Sequence, residues 1–388
     1  MSPMVIVPVC GVDPARLGLP RGKRPMTVGV EEEFLLVDRR TGIPVARGPH
    51  VLKAALPVLG EQAQAEFFGA QVEVCTRPTP SLAALRAELA LLRKVMGEAA
   101  AGEGCLLVAT GTPAVPPGRP LTVTPGERYE RMAARWPALL GGYDGMVCGC
   151  HIHVGVTGRA QALALANHMR PWLPTLQAIA ANSPFSLGGD SGWASRRSVE
   201  YARWPGVGPA PVLDEAGYER LADHLVHTGT LLDRRMIYWH ARPSEHVPTL
   251  EIRVCDVNAD LDVVVLLTAL VRGLATSLLP DIGNGQPPPD LRDPRLHAAH
   301  ALAARRGLTG EGLDPARGEH VPALVLAERL LERAAPGLAA TGDLDLAEEL
   351  FDRVRRSGGG AARQRAAHLR RGRLTDVVSE LARTTAAA

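Results

Sequence analysis

Four short segments, far apart in the chain, alternate apolar and polar positions with the two-residue period of a β-strand, and each sets acids or imidazoles on its polar side. In Val28-Gly-Val-Glu-Glu-Glu-Phe-Leu-Leu-Val37 the alternation puts Glu31 and Glu33 on one face and Glu32 on the other, with Val28, Val30, Phe34 and Leu36. Gln71-Val-Glu-Val-Cys75 turns Glu73 away from Val72 and Val74. In Cys148-Gly-Cys-His-Ile-His-Val-Gly155 the imidazoles of His151 and His153 share a face with Gly149 and Gly155. Thr249-Leu-Glu-Ile-Arg-Val-Cys255 presents Glu251 and Arg253 together, against Leu250, Ile252 and Val254. Glu31 and Glu33 would stand about 7 Å apart on a half-buried face, where desolvation and repulsion call for a cation between them. Neighbouring strands lie about 4.8 Å apart, so one antiparallel sheet built from these segments pools four carboxylates, two imidazoles and a guanidinium on a concave surface. That donor set suits divalent metal and phosphate.

Between the strands the pattern changes to helical. Ser81 is an N-cap for a helix carrying Leu82, Leu85, Leu89, Leu92 and Met96 on one stripe, which should cover the sheet's apolar face. A short helix is expected over 50–60, a buried strand at Cys105–Val108, and a helix over 216–236; Pro171 and Pro174 should break the helical segment after the histidine strand. Residues 182–211 read as a loop holding Trp193, Arg196, Arg197, Arg203 and Trp204, far longer than the usual connection of roughly 4 to 6 residues, so substrate contacts belong there. Beyond Asp260 the chain reads as helical. The division expected is an irregular lead-in over 1–25, a catalytic sheet-and-helix core over 26–280, and a helical part over 281–388 packed on the same domain.

Composition narrows the classes. With 388 residues, 46% hydrophobic, 22% charged and a net charge of +2, the chain supports a large core and gives no case on charge for nucleic-acid or membrane-surface binding. Six cysteines in a chain of this length do not form a disulfide framework, and a reduced, cytoplasmic setting is the simpler expectation. The apolar run Val5–Val9 has no basic residue before it and is too short for a secretory core. Leu261–Leu279 is interrupted by Asp262, Thr268 and Arg272 and reads as a buried helix rather than a membrane span.

The bland reading of Glu31 to Glu33 is a solvated edge strand, but the apolar residues on either side argue against full solvation. Cys148 and Cys150 beside the two histidines invite zinc, yet strand alternation points them to the opposite face, so one strand cannot offer all four to one metal. A hard cation held by oxygens and imidazole, Mg²⁺ or Mn²⁺, fits better. Cys75 and Cys255 fall on the polar face. An arginine in a carboxylate-lined pocket, Arg253, is best explained as the partner of a phosphate or substrate carboxylate. Arg196 and Arg197 are the loop's candidates for the same task. Neither a Walker-type phosphate loop nor a dinucleotide fingerprint is present.

Taken together, Val28-Gly-Val-Glu-Glu-Glu-Phe, Gln71-Val-Glu-Val-Cys, Gly126-Glu-Arg-Tyr, Cys150-His-Ile-His-Val-Gly, Ala194-Ser-Arg-Arg, Arg242-Pro-Ser and Leu250-Glu-Ile-Arg-Val-Cys-Asp256 resemble, in order and spacing, the carboxylate-amine ligases of the glutamate-cysteine ligase type 2 group. The resemblance implies an α+β fold of the glutamine synthetase type, with a curved, mostly antiparallel sheet, a concave active-site face and helices on the convex face. It implies ATP-dependent amide formation. The side-chain carboxylate of glutamate takes the γ-phosphoryl group, and an amine or amino acid, cysteine or another, displaces phosphate from the γ-glutamyl phosphate. The partners are then glutamate, an amine and ATP with Mg²⁺ or Mn²⁺, in the cytoplasm, with a homo-oligomer left open. By motif position Glu31, Glu33, Glu73, His151 and Glu251 match metal ligands, and Glu33, Glu251 and Arg253 are the expected catalytic set. Arg253, Arg197 and His153, with Arg196 from the loop argument, are the expected substrate and ATP contacts. Many relatives have Gly-Thr-His-Pro where this chain has Gly111-Thr-Pro-Ala114, which leaves the amine open. The rival classes are a metal-dependent hydrolase or phosphotransferase with the same acids, and a non-enzymatic metal-binding protein.

Overall fold

The computed structural model describes residues 26–118, 121–141 and 145–387. The expected lead-in, 1–25, and its apolar run lie outside them. In chain order the elements are β1 (Val28–Asp38), α1 (Gly48–Leu59), β2 (Ala63–Ala65), β3 (Gln71–Cys75), α2 (Leu82–Gly102), β4 (Cys105–Val108), α3 (Glu127–Arg135), α4 (Ala138–Gly141), β5 (Gly149–Gly155), α5 (Arg159–Met169) and α6 (Leu173–Ala180). There follow β6 (Phe185–Ser186), β7 (Gly189–Asp190), α7 (Arg196–Tyr201), α8 (Glu215–His227), β8 (Ala241–Pro243), β9 (Thr249–Asp256), α9 (Leu261–Gly283) and α10 (Asp293–Arg306). The chain ends with β10 (Glu311–Asp314), β11 (Glu319–Pro322), α11 (Ala323–Thr341), α12 (Leu344–Ser357), α13 (Gly359–Leu369) and α14 (Leu374–Ala386).

The strands expected from alternation are neighbours. The main sheet runs β2-β3-β1-β5-β9-β8, with β4 beside the far half of β1, and its pairs are antiparallel. Register sets Glu31 opposite His151, Glu33 opposite Glu73, and His153 opposite Glu251. Because opposed residues share a face, these side chains converge on the concave surface while Val28, Val30, Ile152, Val154, Leu250 and Ile252 pack on the other. Against that apolar face lie α9, α5, α6 and the Leu82, Leu85 and Leu89 stripe of α2, whose start is capped by the Ser81 hydroxyl accepting the Ala84 N–H. Residues of α11 and α12, among them Leu330, Leu338, Leu350 and Phe351, belong to the same core.

Glu32, the acid on the apolar side of β1, is fully buried and held by Arg93 of α2 through Nε at 2.9 Å and Nη2 at 2.5 Å. Arg93 also donates to the carbonyls of Ala259 and Asn258, which ties α2 to the loop after β9. A buried charge needs this much pairing to be tolerated. Helix α9 is the one described helix long and apolar enough to cross a membrane, and 78% of its most apolar window is buried inside the protein. Its Arg272 is fully buried, paired with Asp343 and donating to the carbonyl of Pro80. That agrees with the core reading.

The structure differs from the sequence expectation in four places. The ladder between β5 and β9 slips at a bulge: Ile152 opposes Ile252, but Cys150 opposes Cys255. Cys255 therefore joins the buried apolar cluster with Cys150 instead of the polar face, and Asp256 takes its place opposite Gly149. Residues 182–211 are not structureless, because they hold the β6–β7 hairpin and α7. The helix expected over 216–236 ends at His227; Gly229, at φ 69°, turns the chain, and only a 3₁₀ turn over 234–236 follows. The C-terminal part is not wholly helical, since β10 and β11 form a hairpin whose turn is closed by Asp314 Oδ1 accepting from Ala316 and Arg317 and by Gly318 at φ 75°.

Candidate active site

The concave face forms a trough of two connected cavities, about 680 and 1000 Å³, which share Glu31, Arg235 and Arg253 as walls. Its floor is acidic. His151 Nδ1 lies 3.0 Å from Glu31 Oε2, and its Nε2 lies 3.6 Å from Glu33 Oε1. His153 Nδ1 meets the hydroxyl of Thr249 at 2.9 Å, and its Nε2 is 3.1 Å from Glu31 Oε1. Glu33 turns its other oxygen to the backbone N–H of Gly149 at 2.5 Å. Two triads of ligand atoms, Glu31/Glu73/His151 and Glu31/His153/Glu251, each lie within 4.8 Å of one another and share Glu31.

The opposite wall is basic. Glu251 is gripped by Arg242 at 2.8 Å and by Arg253, and Arg253 also donates to the hydroxyl of Tyr201 at 3.2 Å. Arg253 lies over the Tyr238 ring and Arg197 over Tyr201, at 5.5 and 4.8 Å from the centroids. Gly149 is glycine for a steric reason: a Cβ there would sit 2.4 Å from Arg197 Nη2. Phe67, Tyr129, Trp204 and Tyr238 line one side of the larger cavity.

The charges do not balance locally. Burial would raise every carboxyl here, but His153 and His151 outweigh it at Glu31 and hold that group well below the usual range. Arg242 and Arg253 likewise hold Glu251 low against burial. Glu73 is pushed well up by burial and by Glu31, Glu66 and Glu33, and Glu33 is raised by burial despite Arg197 and the Gly149 N–H. Glu66, which accepts the Phe67 N–H at 2.8 Å, is pushed to about 7 by burial and by Glu33. Burial and repulsion from neighbouring carboxylates raise both Glu66 and Glu73, which favours protonation within this pair. His151 is lowered to about 4 by burial and Arg253, whereas Glu31 raises His153 against the effect of burial.

The fit to a divalent cation is chemical. His151 Nε2 and His153 Nε2 are buried and make no well-directed hydrogen bond, although carboxylate oxygens of Glu33 and Glu31 stand 3.6 and 3.1 Å away, and these crowded acids would otherwise favour protons. Oxygen donors with one imidazole per triad suit Mg²⁺ or Mn²⁺, and no thiolate is offered, because the described cysteines are buried and Cys148 and Cys150 have pKa values raised by burial.

Comparison with known proteins gives the family and the fold. The profile of glutamate-cysteine ligase family 2 (GCS2) matches residues 27–380. The chain belongs to this family. A protein of Frankia alni provisionally named glutamate–cysteine ligase 2-2 is 42% identical over 92% of this chain and 97% of its own length. One of Salinispora tropica, provisionally named glutamate–cysteine ligase 2, is 42% identical over 88% and 89%. In fold, the chain matches a crystal structure of glutamate–cysteine ligase from Francisella tularensis in complex with AMP, with a TM-score of 0.67 at 12% identity over 94% of this chain and 90% of that one. It also matches a bifunctional glutathione synthetase from Pasteurella multocida, with a TM-score of 0.70 at 17% identity, covering 93% of this chain and about half, 52%, of that longer one. The expected α+β sheet-and-helix fold is the one found, and the chain is a ligase of the ATP-dependent carboxylate-amine class.

Around the ligase's trough stand Glu31, Glu33, Glu73, His151, His153, Glu251, Arg197 and Arg253. Arg196 does not join them: it is bound to Glu200 at 2.5 Å, beside Arg203, and lines neither cavity. His153, read as a substrate contact, sits in a ligand triad. Pro113 is buried and lines neither cavity. Sequence reasoning missed Glu66, Arg242 and Arg235. Glu66 follows a strand of only three residues, too short for its alternation to register, whereas Arg242 stands opposite Glu251 in the β8–β9 ladder. Arg235 lines both cavities of the ligase. Nothing in the pair Arg234-Arg235 says which arginine faces inward; Arg234 is taken by Glu219 and Asp223 at the rim.

Proposed function

We propose that the protein forms a γ-glutamyl amide from L-glutamate and an amine or amino acid, with ATP activating the glutamate side chain as γ-glutamyl phosphate. The observation that carries this reading is the pair of ligand triads hinged on Glu31, facing a wall of arginines. A carboxylate does not expel hydroxide toward an amine at neutral pH, so it must first be phosphorylated, and phosphoryl transfer is served by positioning and by neutralising charge. Glu31, Glu73 and His151 would hold one Mg²⁺ or Mn²⁺ and Glu31, His153 and Glu251 a second, with Glu33 beside the first. Bound there, the ions would neutralise the charge that develops on the transferred phosphoryl group.

The chain's own groups do the rest. Arg253, aimed by Glu251 and Tyr201, offers its fork to phosphate oxygens or to the acyl phosphate. Arg197, laid across Gly149, and Arg235, between the two cavities, take the remaining anionic groups of nucleotide and amino acid. The aromatic wall around Trp204 and Tyr238 lines the side where an intermediate that water would destroy has to be shielded. The names of the family and of its relatives support cysteine as one acceptor to try. The test is purified protein with ATP, Mg²⁺, glutamate and a panel of amines including cysteine, following phosphate and the γ-glutamyl product by mass. Release that needs both glutamate and one amine is expected. Release without an amine would instead favour a hydrolase, and none with any amine would sink the reading.

A further inference from the structure

Asp256 ends the last strand of the trough and has no part in the chemistry just described. The bulge in β9 turns it to the concave side, opposite Gly149, where it is 1% exposed. Three donors converge on its carboxylate: the Asn182 N–H at 2.9 Å and the Ser183 hydroxyl at 2.7 Å on Oδ2, and the Ser195 hydroxyl at 2.8 Å on Oδ1. The same two serines hold the start of α7. Ser183 Oγ accepts the N–H of Arg197 at 3.1 Å, and Ser195 Oγ accepts that of Ser198 at 3.2 Å. From that fixed backbone the Arg197 guanidinium reaches back across Gly149, with Nη2 3.3 Å from the carbonyl of Arg253.

The clamp is backed from outside the trough. Ser195 and Ser198 hydroxyls are 2.8 Å apart, Gln177 of α6 donates to Ser198 at 2.8 Å, and His300 of α10 meets Gln177 at 2.6 Å. A Cβ on Gly111 would lie 2.8 Å from Asp256 Cγ, so the carboxylate has no room to swing. We propose that Asp256 is the positioning residue for Arg197, a buried carboxylate whose bonds to Ser183 and Ser195 aim that guanidinium into the trough. The inference rests on the ligase reading, in which Arg197 touches substrate. A carboxylate is required because Asn of the same shape presents one oxygen and an N–H₂ donor group to three donors, so at least one of them loses its partner.

The test compares Asp256→Asn, Ser195→Ala, Arg197→Ala and the double Asp256→Asn/Arg197→Ala variant. Each is assayed for phosphate release with ATP, Mg²⁺, glutamate and the amine the parent uses, normalised to folded protein, and titrated with Mn²⁺ alone. Asp256→Asn is expected to lower kcat about 10- to 100-fold, as misplacement of a positioned group does, while Mn²⁺ affinity stays at the parent value. Ser195→Ala should fall in the same direction by less. Added to Arg197→Ala, Asp256→Asn should cost less than about twofold more, because a residue acting through Arg197 has nothing left to act through. Parent-like kcat in Asp256→Asn, or a full independent loss in the double variant, overturns the inference while leaving the ligase reading intact. If Asp256→Asn does not fold, parent-like kcat in Ser195→Ala overturns it equally. A parent with no amine-dependent release overturns the ligase reading and the inference together.

Discussion

Adding Mg²⁺ or Mn²⁺ should stabilise the protein more at pH 8 than at pH 5.5, and the difference should come from Glu66, Glu73 and His153, whose raised pKa values a bound cation opposes. Glu66 rises from its ordinary 4.5 to about 7. A group whose folded pKa lies above its unfolded one contributes stability that is present below the unfolded pKa and is lost as pH rises through the folded pKa, so the metal-free site weakens between pH 4.5 and about 7. At about 1.36 kcal/mol per unit the full shift corresponds to about 3.4 kcal/mol. Glu66 keeps one edge on the open trough, so solvent screening leaves roughly 2 kcal/mol. A cation takes over the neutralising task of the proton, which must leave. Calorimetry in buffers of different ionisation heat should therefore record release of about one to two protons per protein at pH 7. Glu66→Gln should raise the metal-free melting temperature by a few degrees at pH 8 and leave it unchanged at pH 5. Comparing each pH with and without metal cancels groups remote from the trough. A metal-induced stabilisation that is the same at pH 5.5 and 8, or binding with no proton release, would refute the electrostatic account of the site.

Glu73→Gln should abolish turnover yet leave the metal-free protein as stable as the parent or stabler at pH 8, because it relieves carboxylate crowding; a drop in the urea midpoint would contradict this. Glu251→Gln should also abolish turnover but destabilise the fold by about 3 kcal/mol, since Arg242 and Arg253 lose their buried counter-charge; an unchanged urea midpoint would count against the pairing. His240 and His300 meet edge to face with ring centroids 4.4 Å apart; burial, with Arg197 and His297, depresses His240 to about 3, and burial, with His240 and His297, holds His300 well below its ordinary value. A depressed histidine contributes stability that is present above its ordinary 6.5 and lost as pH falls toward its folded value, so His300→Gln should remove about 2 kcal/mol of the acid loss between pH 7 and 5, read from urea midpoints, and an identical loss in both proteins would exclude it.

What the chain disclosed by itself was whatever a period of two can carry. The four polar-faced strands, their shared face and the burial of Glu32 follow from alternation within each segment, and antiparallel neighbours convert those faces into one surface. Arg93 was within reach of the same logic, as a charge beside Leu89, Leu92 and Met96 on a buried helix stripe that needs an acid behind it. The bulge was not legible, because a slip in register belongs to the pair β5–β9 and neither strand shows it alone. Cys255 was accordingly assigned to the wrong face. Arg196 was misjudged because a loop arginine and a helix arginine paired at i+4 look alike until α7 is known to begin there.

The division of charge supports the proposal that one trough serves two kinds of ligand. On its β8–β9 side, Glu251 already occupies Arg242 and Arg253, and Asp233 occupies Arg128. The cations left facing the cavities without an acid in contact are Arg197 and Arg235, and the acids left without an arginine in contact are Glu31, Glu33, Glu66 and Glu73, among the described residues. Water would ordinarily settle such an imbalance, but burial removes it, so the acidic end must take either protons or a metal while the basic end waits for an anion. A divalent ion bound with a polyphosphate meets both needs at once, and neither alone meets both. On the proposed reading, catalysis by charge neutralisation would come from the same asymmetry that makes the site electrostatically costly without its ligands.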